Sequence, residues 1–151
     1  MALKTSAHDR FDYQALADFR YGIRRFLNFS EQAARAAGIE PQQHQALLAI
    51  KGLPAARNAT IGALAERLQI QHHSAVELAD RLEARGLLKR IRGGADRREV
   101  ALRLTRRGEE LLAELSLSHR AELRSAGRAL LRALETAMAR TYRRRVARNK
   151  P

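Results

Sequence analysis

The sequence predicts a mainly α fold with one small β-hairpin, an α+β arrangement in which helices carry most of the packing. Three observations lead there. Apolar residues recur at helical spacing over most of the chain, one short stretch alternates with period two, and 151 residues that are 45% hydrophobic suffice for one compact core. A chain of that length is too short for a large multidomain enzyme.

From Tyr13 to Gly38, Leu16, Phe19, Ile23, Phe26, Leu27, Ala33, Ala34 and Ala37 fall on helical spacing, so this segment reads as one long helix stopped at Gly38. Six of the seven aromatics lie on it or just before it: Phe11, Tyr13, Phe19, Tyr21, Phe26 and Phe29. They form either a packing or subunit-interface stripe or the wall of a pocket. A second helix opens at Glu40-Pro41, with Pro41 suited to the first helical position, and ends at Gly52 and Pro54. Thr60 caps a short helix through Leu68 whose inner face is Ile61, Leu64, Ala65 and Leu68. After a break at Ile70-Gln71, His73 to Arg85 is amphipathic on Val76, Leu78, Ala79 and Leu82, with Gly86 as its stop. Two short helices across a tight turn make a helix-turn-helix.

The period then changes. Leu87 to Arg92 alternates loosely, Gly93-Gly94 signals a turn, and Val100 to Leu104 alternates strictly, which reads as a hairpin with a polar tip over Gly93 to Glu99. Thr105 caps a helix with Gly108 in its first turn and Glu109-Glu110 near its positive end. Gly127 is expected to interrupt or bend that helix, and a last helical stretch carries Leu130, Leu131, Leu134, Met138 and Tyr142.

The net charge of +13 is not spread evenly. Lys89, Arg90, Arg92, Arg97, Arg98, Arg103, Arg106 and Arg107 against Asp96 and Glu99 give +6 over residues 89–107. Arg140, Arg143, Arg144, Arg145, Arg148 and Lys150 give another +6 with no acid among them. A GC-rich genome explains Arg in place of Lys, but it does not explain clustering. The clusters point to an anionic partner. Absence of cysteine excludes a disulfide framework, a thiolate zinc site and a thiol redox sensor. Residues 1–20 hold no apolar signal region and no stretch reaches the roughly 18 apolar residues of a membrane span, so a cytoplasmic protein with no membrane partner is expected.

Helices, helix-turn-helix and then hairpin is the order of a winged helix. Asp80-Arg81-Leu82-Glu83-Ala84-Arg85-Gly86-Leu87-Leu88, then Arg90, then Asp96-Arg97-Arg98, then Leu102-Arg103-Leu104-Thr105-Arg106-Arg107-Gly108 resembles the winged-helix core of the multiple-antibiotic-resistance-regulator (MarR) family. Pro41-Gln42-Gln43 fits the start of its second helix, and the similarity runs from about residue 12 to 145. The resemblance implies one MarR-like domain over 1–151. Its DNA-binding core would span 41–107, and a helical dimerisation region 12–38 and 108–146. It also implies a homodimeric regulator of transcription, a repressor on a palindromic operator in double-stranded DNA, released by a small-molecule ligand. The apolar flanking helices favour a twofold partner independently.

In such proteins the recognition helix offers its N-terminal residues to base edges, here Gln71, His72, His73 and Ser74, with Glu77 and Arg81 further along. Gln pairs bidentately with adenine, and neutral His donates or accepts. Glu77 departs from the family, where Arg or a small hydroxyl residue is usual. It either accepts from cytosine N4 or holds Arg81 four residues on. A metal shared by His72 and His73 is disfavoured, because adjacent helical side chains point about 100° apart and no cysteine is near. On the hairpin, Arg90 and Arg92 share one face and Lys89 lies on the other. The resemblance makes Asp96 the anchor that aims Arg98 into the minor groove, with Arg97 beside a phosphate. The alternative is an ordinary surface ion pair. Gly93-Gly94 replaces a proline frequent in relatives.

For a small aromatic or anionic effector, the candidate residues are Phe19, Ile23, Phe26 and His44. His44 either bonds the ligand or caps a backbone carbonyl. The tail from Arg140 contacts flanking DNA, a partner or nothing. No cofactor is indicated, and no enzyme: phosphate loop, dinucleotide turn and nucleophile elbow are all missing, and His8, His44, His72, His73 and His119 show no catalytic spacing. The competing reading is a weakly specific architectural nucleic-acid-binding protein.

Overall fold

In the computed structural model residues 13–54, 57–93 and 99–147 are described, with side chains through Met138. The elements are α1 (Tyr13–Ala36), α2 (Pro41–Lys51), α3 (Ile61–Leu68), α4 (His72–Ala84), β1 (Leu88–Arg92), β2 (Val100–Leu104) and α5 (Arg106–Ala147). This is the mainly helical, single-hairpin fold expected. It divides into two compact units, one built from the chain up to Phe29 together with the chain from His119, the other from Ser30–Ser118.

The Ser30–Ser118 unit holds the core. Leu47, Leu64, Leu78, Leu82, Leu87, Leu88 and Leu102 are fully buried, drawn from α2, α3, α4 and the hairpin. Each contributes about 1.5–3 kcal/mol by leaving water. Leu78 and Leu82 stand one turn apart with Ala75 and Ala79 on the same buried side of α4, so the rest of α4 is left to solvent.

Helix ends explain the turns. After α1 the amide of Ile39 donates to the carbonyl of Ala34, and after α4 the amide of Leu87 donates to that of Leu82. These are Schellman closures, and Gly38 and Gly86 take the positive φ each requires (78° and 67°). The same closure ends α3, where Ile70 donates to Ala65, but there the left-handed position is held by Gln69 at φ 55°. Glu40 and Gln43 form a capping box at α2, and Gln43 Oε1 accepts from the Glu40 amide at 3.1 Å. Thr60 Oγ1 accepts from the Ala63 amide at 3.2 Å and opens α3.

The hairpin is antiparallel, with Leu88 opposite Leu104, Arg90 opposite Leu102 and Arg92 opposite Val100. The Leu102 amide reaches sideways to the carbonyl of Ala59 at 2.6 Å. Thr105 ties the hairpin's base: its amide donates to Leu87, its hydroxyl donates to the Gly86 carbonyl at 2.6 Å and accepts from the Gly108 amide at 3.1 Å.

One expectation is corrected. Gly127 neither ends nor interrupts a helix: α5 runs unbroken through 42 residues. A single glycine costs about 1 kcal/mol relative to alanine inside a helix, too little to open a long hydrogen-bonded run.

The other unit pairs the first part of α1 with the later part of α5. A Cβ on Gly22 would come within 2.9 Å of Leu130 Cδ1, so the two helices meet at a residue without a side chain. His119 is flanked edge-on by Phe26 and Phe29, with ring centroids 6.0 and 5.7 Å away. Among the described residues Ala15 is the one buried member of this unit, whereas Tyr13, Leu16, Tyr21, Leu27, Leu123, Leu131 and Met138 are exposed. Among the described aromatics, Phe19, Phe26 and Phe29 are thus half-covered within this unit and Tyr13 and Tyr21 are left open.

Candidate nucleic-acid interface

The helix-turn-helix presents α4 by burying one side of it. Gln71 is its N-cap with extended backbone and no side-chain cap bond, so the Gln71 amide group stays free for another partner. The first intrahelical bond runs from the Ala75 amide to the Gln71 carbonyl. The amides of His72, His73 and Ser74 therefore point out of the positive end of α4, a setting that suits phosphate. Gln71, His72, His73, Glu77 and Arg81 are exposed and Ser74 is partly so. Gln71, His72, His73 and Ser74 thus ring the N-terminal end of α4, with Glu77 and Arg81 exposed further along it.

Glu77 makes no ion pair with Arg81 or any other described residue. Its carboxylate is open to solvent. Arg81 lines a cleft of about 450 Å³ with Glu31, Arg35, Glu40 and Gln42. Among the described residues no group of three or more His, Cys, Asp or Glu could hold a metal ion.

On the hairpin the candidates separate. Arg92 is exposed and without a described partner. Arg90 is engaged: Nη2 donates to Asp80 Oδ1 at 2.6 Å, Nη1 donates to Glu83 Oε2, and its main-chain amide donates to Glu83 Oε1 at 3.3 Å. Burial lowers its pKa, but hydrogen bonds and charge from Asp80 and Glu83 outweigh that and raise it above the ordinary guanidinium value. Arg90, which alternation puts on one face with Arg92, is thus taken up by two carboxylates, whereas Arg92 is not. Asp96, Arg97 and Arg98 lie outside the described residues, as does the tail beyond Ala147.

Several polar links escaped the sequence reading. Lys51 at the end of α2 holds Glu109 in the first turn of α5 at 2.5 Å. The hydrogen bond from Lys51, then its charge, then that of Lys89, hold the Glu109 carboxyl below its ordinary value. Arg85 spans from α4 to the turn after α1, donating to Gln43 Oε1 at 2.9 Å and to the Gly38 carbonyl at 2.6 Å. No local pattern signalled these links; only the Arg90 pairs had one, the acidic residues Asp80 and Glu83 three apart ahead of a basic strand.

Of the effector candidates, His44 is buried in α2 within the Ser30–Ser118 unit, and Phe19, Ile23 and Phe26 are half-buried on α1 in the other unit.

Residues 37–99, which hold α2, the helix-turn-helix and the first strand, match the model of the MarR family. That stretch is similar to the winged helix of this family. Solved structures agree in fold. A MarR family transcription regulator aligns at TM-score 0.68 with 21% identity, over 91% of this chain and 93% of the other. MepR of Staphylococcus aureus, a transcription regulator of a multidrug efflux pump, aligns at 0.65 with 18% identity, over 93% and 100%. Bordetella bronchiseptica BpsR, whose DNA binding is regulated by 6-hydroxynicotinic acid, aligns at 0.56 with 22% identity, over 71% and 79%. No curated protein matches the chain. In this winged-helix fold the hairpin β1–β2 takes the place of the wing, and α4 is the second helix of the helix-turn-helix. Among the described residues no helix is long and apolar enough to cross a membrane.

Proposed function

We propose that the chain is a sequence-specific regulator of transcription that binds a palindromic operator in double-stranded DNA as a homodimer, and that it acts as a repressor released by a small aromatic or anionic ligand. The observation that carries this reading is the N-terminal end of α4, where Gln71, His72, His73 and Glu77 are exposed and Ser74 partly so, next in the chain to a hairpin whose Lys89, Arg92 and Arg103 are exposed. Gln and His offer donors and acceptors that base edges in the major groove can match, and Glu77, unpaired, suits cytosine N4. Residues 41–107 would bind DNA, with Arg92, Asp96, Arg97 and Arg98 serving the flanking groove. Residues 12–38 and 108–146 would dimerise. The exposed Tyr13, Leu16, Tyr21, Leu27, Leu123, Leu131 and Met138 support that assignment, since a monomer gains by covering such a surface with a twofold copy.

Ligand release is supported by the likeness to BpsR, whose DNA binding responds to a small aromatic acid. Phe19, Ile23, Phe26 and His44 are the residues we assign to the effector. No step of this function is catalytic.

The test is recovery of bound sites from fragmented genomic DNA, followed by competition of the recovered site against random duplex. A palindromic site preferred by orders of magnitude is the expected result. Equal affinity for both DNAs would replace this function with an architectural one.

A further inference from the structure

Arg90 lies mid-strand in β1, and its side chain is only 25% exposed although it belongs to a basic hairpin. Asp80 and Glu83, three residues apart on α4, share one helix face and converge on it. Glu83 holds both the side chain and the main-chain amide of Arg90. Among the described residues Arg90 is the one cation that binds two carboxylates. The three links join β1 to α4 at the outer limit of the apolar packing, since Leu102 opposite Arg90 is buried whereas Ile91 and Arg92 beyond it are exposed.

Two facts make the arrangement odd for mere stability. Asp80 and Glu83 remain 59% and 42% exposed, and exposed ion pairs add little to folding. Both acids also sit on the helix that is to approach phosphates, where unneutralised carboxylates repel. What the links do supply is direction. A guanidinium forked between two carboxylates tolerates one orientation, so the strand that leads to the wing is held at one angle to α4.

We propose that Arg90 is a positioning residue, which through Asp80 and Glu83 fixes the wing relative to the recognition helix and raises DNA affinity without touching DNA. This rests on the DNA-binding reading above. It differs from a direct phosphate contact in the sign of one effect. Removing two acids from a DNA-binding face strengthens binding if only charge matters; it weakens binding if those acids hold the wing.

The experiment measures binding to random-sequence duplex across a salt series for the wild type, Arg90→Lys, and the double variant Asp80→Asn/Glu83→Gln, with helix content checked by circular dichroism. Both variants are expected to bind about tenfold weaker than the wild type, corresponding to roughly 1.4 kcal/mol. Amide hydrogen exchange in β1 and β2 of the free protein is expected to quicken in both. The exchanged pair Arg90→Glu/Glu83→Arg should recover affinity over Arg90→Glu alone, which guards against a variant that merely folds poorly. Equal or tighter binding by Asp80→Asn/Glu83→Gln, or full affinity in Arg90→Lys, would overturn the proposal. A wild type with no salt-sensitive affinity for duplex would instead overturn the functional reading. The exchange measurement still decides whether the links hold the strand, and unchanged exchange sinks that as well.

Discussion

The first turn of α5 lies so close to the main chain of Leu87 that a Cβ on Gly108 would stand 2.1 Å from the Leu87 carbonyl oxygen. That oxygen also accepts the Thr105 amide at 3.1 Å, so it cannot retreat without breaking the bond that anchors the hairpin's base. Gly108→Ala should therefore destabilise the chain by about 1–3 kcal/mol through overpacking, although alanine is the better helix former. The denaturant midpoint reads this directly, and a midpoint at or above that of the wild type would mean the contact is looser than described.

Thr105 is the partner feature at the same joint. Thr105→Val keeps the shape but removes both the cap to the Gly108 amide and the donation to the Gly86 carbonyl. A loss of about 1–2 kcal/mol is expected in equilibrium unfolding.

Gln69 occupies the left-handed conformation between α3 and α4. Gln69→Ile should cost about 1–2 kcal/mol, because a β-branched side chain crowds the following carbonyl there, whereas Gln69→Asn should be close to neutral. Thermal melts of the two variants that coincide would contradict the strain.

Glu109 gives a pH signature. Its folded carboxyl is lowered chiefly by the hydrogen bond from Lys51, so its contribution is complete above the ordinary carboxylate range and disappears as pH falls through the lowered folded value. The difference in unfolding midpoint between the wild type and Glu109→Gln should hold steady from neutral pH down to that range and shrink below it. A difference independent of pH would remove the Lys51 pairing as its cause.

DNA binding itself should be steeply salt-dependent. A dimer neutralising about eight phosphates gives a log–log slope near about −7, and a slope near −1 would mean that the basic clusters do not meet the backbone. Arg98→Ala should weaken operator binding sharply with helix content and dimer unchanged, and undiminished affinity at matched salt would end the minor-groove assignment.

The chain's punctuation was readable because it is local. Pro41, Thr60, Gly38 and Gly86 each act on the backbone within four residues, and the hairpin's period-two pattern sits between clear turn signals. What was not readable depends on distance in sequence. Alternation placed Arg90 with Arg92, but only the fold shows that Asp80 and Glu83, ten and seven residues earlier, take its guanidinium. Arg85 meeting Gln43 across 42 residues is of the same kind. Gly127 misled for a different reason, since a local cost of about 1 kcal/mol is small against the cooperativity of a long helix. On α4, the exposure of Gln71, His72, His73 and Glu77 agrees with the amphipathic pattern, but the absence of a Glu77–Arg81 pair was not legible.

A two-stranded sheet normally has two open edges, each a template for strands from other molecules. Here Arg90 and Leu102 face one another across the ladder with their amides turned outward, and both amides are occupied, one by the Glu83 carboxylate and the other by the Ala59 carbonyl. Each rim of the hairpin is blocked at its midpoint. A hairpin so closed offers no continuous edge to a strand from another molecule, so Glu83, which holds Arg90, also guards the chain against edge-to-edge aggregation.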